Sequence, residues 1–190
     1  MNRLSAWLIV LSLMLGGCGS VPPAPTDRFY RLQPLGTSPT ARVLSGAVDV
    51  QDFRADSLYA ERPIIYSEEG SLRQLRQYHY HLWLYPPAQM VQAHFVASLG
   101  GALDLSGGRA APNVLNGRVA NFERVVSGKN SKAVVALELR LRTGDKLLLC
   151  KTYQAEQFAS DDSLPAFAEA MELALAKIYA EFLADVALSR

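Results

Sequence analysis

The clearest pattern lies in the second half of the chain, where apolar and polar residues alternate. Ala133, Val135, Leu137, Leu139 and Leu141 recur at every second position, with Glu138, Arg140 and Arg142 between them. Successive side chains of a strand point to opposite faces, so this period predicts a half-buried strand over 133–142. Val114 to Val126 reads as the strand before it and Leu147 to Phe158 as the strand after it. Ser127 to Lys132 supplies a polar turn, and Thr143-Gly144-Asp145-Lys146 a tight hairpin turn. Leu147-Leu148-Leu149 offers apolar side chains to both faces of its strand. That fits either a central strand covered on both sides or a contact between subunits.

The first half shows the same signals in shorter segments. Phe29-Tyr30-Arg31-Leu32 is a short aromatic strand, and Gly46 to Phe53 a second, with Val48 and Val50 alternating against Asp49 and Gln51. Pro63-Ile64-Ile65-Tyr66 is a third; Glu68-Glu69-Gly70 then turns the chain, and Leu72 to Trp83 returns as its hairpin partner. Strict alternation there places Tyr78, Tyr80 and Leu82 on one face and His79, His81 and Trp83 on the other.

Two segments change the period to 3.6. Pro86-Pro87 opens a helix, because a missing N–H costs nothing in the first turn, and Ala88, Val91, Phe95 and Leu99 form its apolar stripe. Gly100-Gly101 ends it, and Leu105 to Asn113 is a loop. Ser163 caps a longer helix with Phe167, Met171, Leu175, Ile178, Phe182 and Val186 along one face. Glu169, Glu172, Glu181 and Asp185 fall largely off that face. Helices arriving after runs of hairpin-linked strands predict an α+β fold: a largely antiparallel sheet of about five to seven strands packed with two main helices.

The N-terminus follows a different logic. Arg3 precedes an apolar run from Ala6 to Leu15, which ends in Leu15-Gly16-Gly17-Cys18. The run has the length of an export-signal core and is too short to span a bilayer as a helix. The tetrad resembles the bacterial lipobox, whose small residues give a peptidase access to the bond before an acylated cysteine. The expected organisation is therefore a lipoprotein signal peptide over 1–17, a lipidated Cys18 with a Pro-rich tether over 18–27, and one domain over 28–190. Three prolines keep the tether extended at about 3.1 Å per residue. Gly19 stands after the cysteine where an Asp retains such proteins in the inner membrane, so this resembles an outer-membrane address.

Charge adds little to this picture. The chain carries 19 basic and 18 acidic residues, and loss of Arg3 with the signal makes the two equal. Such a balance provides no electrostatic footprint for nucleic acid, and none is expected as a partner. Attachment to membrane would come from acyl chains, each buried CH₂ contributing about 0.8 kcal/mol. There are 2 cysteines, and with Cys18 acylated no intramolecular disulfide can form. Cys150, between Leu149 and Lys151, reads as a buried, inert thiol.

Few residues suggest chemistry. Neither a Gly-x-Ser-x-Gly elbow nor a Gly-x-Gly-x-x-Gly fingerprint occurs. Gly128-Lys129-Asn130-Ser131 fails as a phosphate loop, because Glu123 occupies the place of its first glycine and no Ser or Thr follows the lysine directly. His79 and His81 point the same way on a strand, but with only His94 nearby they read as a polar edge pair rather than zinc ligands. Glu68-Glu69 reads as a hairpin tip, and Asp161-Asp162 as charge favoured ahead of a helix. No catalytic residue, metal or cofactor is expected. The aromatic cluster Tyr78, Tyr80, Trp83 and Tyr85 serves either core and edge packing or an interface, since Tyr and Trp combine large contact area with a polar tip.

Taken in order, these landmarks resemble one family. They are the lipobox and tether, Phe29-Tyr30-Arg31-Leu32, the Val48-to-Phe53 strand, and Tyr59-Ala60-Glu61-Arg62-Pro63-Ile64-Ile65-Tyr66. Tyr80-His81-Leu82-Trp83 then runs into Pro86-Pro87, and Asn116-Gly117-Arg118-Val119-Ala120-Asn121-Phe122-Glu123 precedes the amphipathic C-terminal helix. The mature chain is similar throughout to the ABC-type transport auxiliary lipoproteins, the PqiC-like group. One departure is Leu82-Trp83-Leu84-Tyr85-Pro86, where many members carry Arg-Trp-Ala-Glu-Pro. The resemblance implies a non-catalytic lipoprotein anchored at the periplasmic face of the outer membrane. It implies docking to an MCE-domain protein and ABC transporter subunits in intermembrane lipid transport, self-association into a homo-oligomer, and possible contact with lipid. The competing expectations are a structural or assembly lipoprotein of the envelope, and a carrier that binds lipid directly in an enclosed apolar cavity.

Overall fold

The computed structural model describes residues 25–34 and 42–189. The signal peptide, Cys18 and most of the tether lie outside the described residues. Eight strands form one sheet. They are β1 (Arg28–Tyr30), β2 (Val48–Val50), β3 (Arg54–Ala55), β4 (Pro63–Glu68), β5 (Arg76–Trp83), β6 (Asn113–Ser127), β7 (Asn130–Thr143) and β8 (Lys146–Phe158). The two helices are α1 (Pro87–Leu99), between β5 and β6, and α2 (Leu164–Leu188), after β8. The main path of the sheet is β1-β5-β4-β6-β7-β8, and β2 and β3 pair with the first half of β6.

The fold is α+β, as the periodicity predicts, with one strand more than the upper expectation. The addition is β3, two residues long and far too short to leave a periodic trace. The long pairings, β6 with β7 and β7 with β8, are antiparallel hairpins. Gly128 (φ 59°) and Gly144 (φ 54°) make their turns, a backbone region that residues with a Cβ adopt at a cost. The short pairings of β1 with β5, and of β2, β3 and β4 with β6, are parallel.

Both helices contribute to one core. Val91, Phe95 and Leu99 of α1 are buried, as is the whole predicted stripe of α2 from Phe167 to Val186. The Phe95 ring contacts Tyr179 (5.2 Å) and Phe182 (5.8 Å), which locks the helices together above the sheet. Below them lie Ala133, Val135, Leu137, Leu139 and Leu141, the alternating positions of β7, each at most 1% exposed. Ser163 caps α2, its Oγ accepting from the Ala166 N–H at 3.2 Å. Burying such a face is the main stabilisation available here, at about 25 cal/mol per Å² of apolar surface.

Two local expectations are corrected. Alternation fails in β5: regular pairing from Pro63↔Leu82 would set Tyr80 opposite Ile65, but Gln77 stands there. The extra residues bulge out and rotate the side chains between them. Secondly, β8 is an edge strand, so the central-strand reading of Leu147-Leu148-Leu149 falls, and Cys150 is exposed rather than buried. Glu172, read only as lying off the apolar stripe, is buried and bonded to the N-terminal segment.

Candidate docking surface

The corner after β5 is fixed by backbone bonds. The Trp83 N–H donates to Arg62 O (2.7 Å), the Leu84 N–H donates to Tyr30 O (2.6 Å), and Arg62 Nε donates to Trp83 O (3.1 Å). Proline at 86 and 87 then starts α1. Held this way, Leu84 and Tyr85 cannot turn inward, and they remain 39% and 53% exposed.

The helix that follows is unusual in composition. Its thirteen residues, PAQMVQAHFVASL, include no Asp, Glu, Lys or Arg. Gln89, Ala93, Val96 and Ala97 nevertheless face solvent. A surface helix ordinarily sets charge opposite its buried stripe. Here the outward side is uncharged, and Gln89, Ala93 and Ala97 line, with Leu32, Pro34, Leu84 and Tyr85, a groove of about 380 Å³ that Arg31 also lines.

One wall of the groove is the strand-like segment after β1, clamped from both helices. The Gln33 N–H donates to Glu172 Oε1 of α2 at 2.6 Å. Gln33 O accepts from His94 Nε2 of α1 at 3.1 Å, and His94 Nδ1 faces the Tyr179 hydroxyl at 3.2 Å. Because a carbonyl only accepts, the proton of this bond sits on Nε2. Burial holds the His94 pKa below its ordinary value, against the opposing Gln33 bond. Burial also raises the Glu172 pKa, although the Gln33 N–H lowers it.

The four aromatic residues expected to form an interface occupy three different settings. Trp83 is 1% exposed, packed between Phe122 (5.2 Å) and Phe167 (5.8 Å), and offers no surface to a partner. Tyr78 is half-buried; its hydroxyl accepts from Arg124 Nη1 at 2.9 Å and its ring lies 4.5 Å from Tyr66. Tyr80 and Tyr85 are exposed, and only Tyr85 joins the groove. Sequence reasoning missed Leu32, Leu84 and the outward residues of α1, although the charge-free helix was legible as a signal.

Several other polar groups are engaged with one another. The Tyr30 hydroxyl bonds His81 Nδ1 at 2.9 Å, and burial, then Arg28, lowers the His81 pKa. No group of three or more metal-binding side chains occurs among the described residues. Asp161 Oδ1 accepts from the Ser163 N–H at 2.7 Å ahead of α2, and its bonds to Ser163 hold its pKa low. Arg118, in a polar hollow on the sheet, is shared by Glu138 and Asp56, which raise its pKa. These pairings tie β1 to β5, cap α2 and join β6 to β7.

Comparison with known proteins agrees with this architecture. A family model described as the ABC-type transport auxiliary lipoprotein component matches residues 30–182. Protein XCC0632 from Xanthomonas campestris, a crystal structure, superposes with a TM-score of 0.72 at 18% identity, covering 85% of this chain and 96% of that one. A crystal structure of an uncharacterized protein gives 0.67 at 15% identity, over 85% and 99% of the two chains. Hypothetical protein CT253 from Chlamydia trachomatis gives 0.50 at 11% identity, over 76% and 96%. At such identities the likeness is one of fold. No curated protein matches the chain.

Proposed function

Since the chain belongs to the ABC-type transport auxiliary lipoprotein family, we propose that it serves an MCE-type lipid transport system as a docking component anchored to the outer membrane. In this reading acyl chains on Cys18 hold it at the periplasmic face, and the folded domain receives partner proteins without catalysing a reaction. Among the described residues no helix is long and apolar enough to cross a membrane.

The observation that carries the docking reading is the charge-free outer side of α1 beside exposed Leu84 and Tyr85. An aromatic residue at an apolar groove is the composition of an interface centre, where a few residues carry most of the binding energy. The partners proposed are an MCE-domain protein and the ABC transporter subunits, with the lipoprotein itself a homo-oligomer. A lipid cannot cross the aqueous periplasm cheaply, at about 0.8 kcal/mol per exposed CH₂. A conduit that ends on a tethered receiver avoids that exposure.

The test is cross-linking of the full-length lipidated protein in cells, followed by pull-down and mass spectrometry. An MCE-domain protein or ABC subunit should be recovered from the native chain and lost from a Leu84→Ala/Tyr85→Ala variant. Recovery of porins or peptidoglycan-linked proteins alone would replace docking with a structural role. Co-purified lipid, lost from the same variant, would favour direct lipid binding in the groove.

A further inference from the structure

The acyl anchor proposed above at Cys18 restricts how the folded domain can sit on a bilayer. Ten peptide units separate Cys18 from Arg28, where β1 begins, and they reach at most about 36 Å when fully extended. A domain of this length is about 40 Å across. The tether is therefore too short to let the domain turn its β1 end away from the membrane. What surrounds β1 is the surface that the anchor brings to the headgroups.

That surface combines exposed aromatic rings with uncommitted cations. Phe29 of β1 and Tyr80 of β5 are 51% and 45% exposed. They are neighbours in the sheet, because Phe29 pairs with Leu82, and Tyr80 precedes His81, the partner of Arg28. Arg28 and Arg31, both exposed, flank this part of the chain. Arg62 reaches over from the start of β4, its guanidinium 5.1 Å from the centre of the Phe29 ring and its Nε bonded to Trp83 O. Asp27 and Glu61 are adjacent to Arg28 and Arg62 in the chain. Even so, among the described residues no ion pair joins Arg28, Arg31 or Arg62 to a carboxylate. Arg42, Arg76 and Arg118, by contrast, each pair with one.

We infer that this face rests on the phospholipid headgroups of the bilayer that carries the anchor, with Arg28, Arg31 and Arg62 bonding lipid phosphates. A guanidinium presents its N–H groups as a planar fork that matches a phosphate, and an arginine without a carboxylate is free to take one. Aromatic rings settle at the same depth, where an apolar body meets a polar layer. Attraction to anionic lipid adds to the burial of the rings, as in other proteins that lie on a membrane surface. Arg31 also lines the groove beside Tyr85, so the contact holds that groove next to the bilayer. A partner seated there would meet the domain at the lipid surface.

The full-length lipidated protein, reconstituted in vesicles of phosphatidylethanolamine and phosphatidylglycerol, tests this contact. In a Cys150→Ala background a fluorescent label is attached at Tyr80→Cys or, on the far edge of the sheet, at Phe158→Cys; the acylated Cys18 takes none. Nitroxide on the lipid headgroups should quench the label at 80 strongly and the label at 158 hardly at all. Each arginine near an anionic surface shifts the balance about fivefold toward contact, so Arg28→Glu/Arg31→Glu should bring the quenching at 80 down to the level at 158. Circular dichroism and flotation with the vesicles should stay unchanged in that variant. Equal quenching at the two positions, or quenching at 80 that survives the charge reversal, overturns the contact and leaves the anchor standing. A native chain that does not float with the vesicles removes the anchor, and the contact with it.

Discussion

Gly117→Ala adds a single methyl group, and the structure says where it must go. Gly117 lies in β6, facing the ring of Phe53, and a Cβ built there would meet three ring carbons at 2.6 Å. Carbon atoms rest about 3.5–4.0 Å apart, so the ring must retreat by about 1 Å. It has little room: the Phe53 ring packs on Phe95 at 5.7 Å, and the Phe53 N–H is held by Gln92 Oε1 at 3.1 Å. Gly117 is not among the glycines with positive φ, so the effect is one of space and not of backbone conformation. Overpacking of this kind costs about 1–3 kcal/mol. For a domain of this size each kcal/mol moves Tm by about 2–4 °C, giving an expected fall of about 2–12 °C. Thermal and urea unfolding of the unlipidated domain, followed by circular dichroism, measures it. Phe53→Leu should restore part of the loss, with a coupling of about 1 kcal/mol or more in the double-mutant cycle. A change within about 0.5 kcal/mol, or strictly additive variants, would refute the close approach of Phe53 to β6.

Other outcomes follow from the same contacts. Trp83→Ala should destabilise the fold by about 3–5 kcal/mol, whereas Tyr85→Ala should leave urea unfolding unchanged and weaken only partner recovery; equal destabilisation by both would place Tyr85 in the core. His94 is held neutral by burial, with its pKa depressed from 6.5. Its contribution is therefore complete above about pH 6.5 and is lost as pH falls through the lower folded value. His94→Gln, which keeps a donor toward Gln33 O, should flatten that part of a stability-against-pH curve, and an unchanged curve would assign the acid sensitivity elsewhere. Glu172 acts in the opposite sense: its raised pKa favours the folded state at low pH, and that contribution is lost as pH rises through the folded value. Cys18→Ser should move the protein from the membrane pellet to the soluble periplasmic fraction; retention in the pellet would remove the lipid anchor from the account.

What the sequence determined by itself was everything encoded in local periodicity. The alternation at 133–142, the helical stripe of 167–186, the Ser163 cap and the hairpin glycines each follow from steric and burial rules acting over a few residues, and all appear where expected. The order of landmarks was also sufficient to point to the family. Tertiary structure decided which strand lies at an edge, and so whether Leu147, Cys150 and Phe158 meet protein or water. No local pattern carries that information, because an edge strand and a central strand obey the same alternation. It decided the face of Tyr78, Tyr80 and Trp83 as well, since a bulge against β4 changes the phase of β5 without a mark in the sequence of β5. The clamp on Gln33 joins residues 61 and 139 positions apart, and Glu172, which bonds that segment, is buried. The groove exists for the same reason: a charge-free helix is a composition, but the concavity beside Tyr85 forms only when residues 31–34 are drawn against α1.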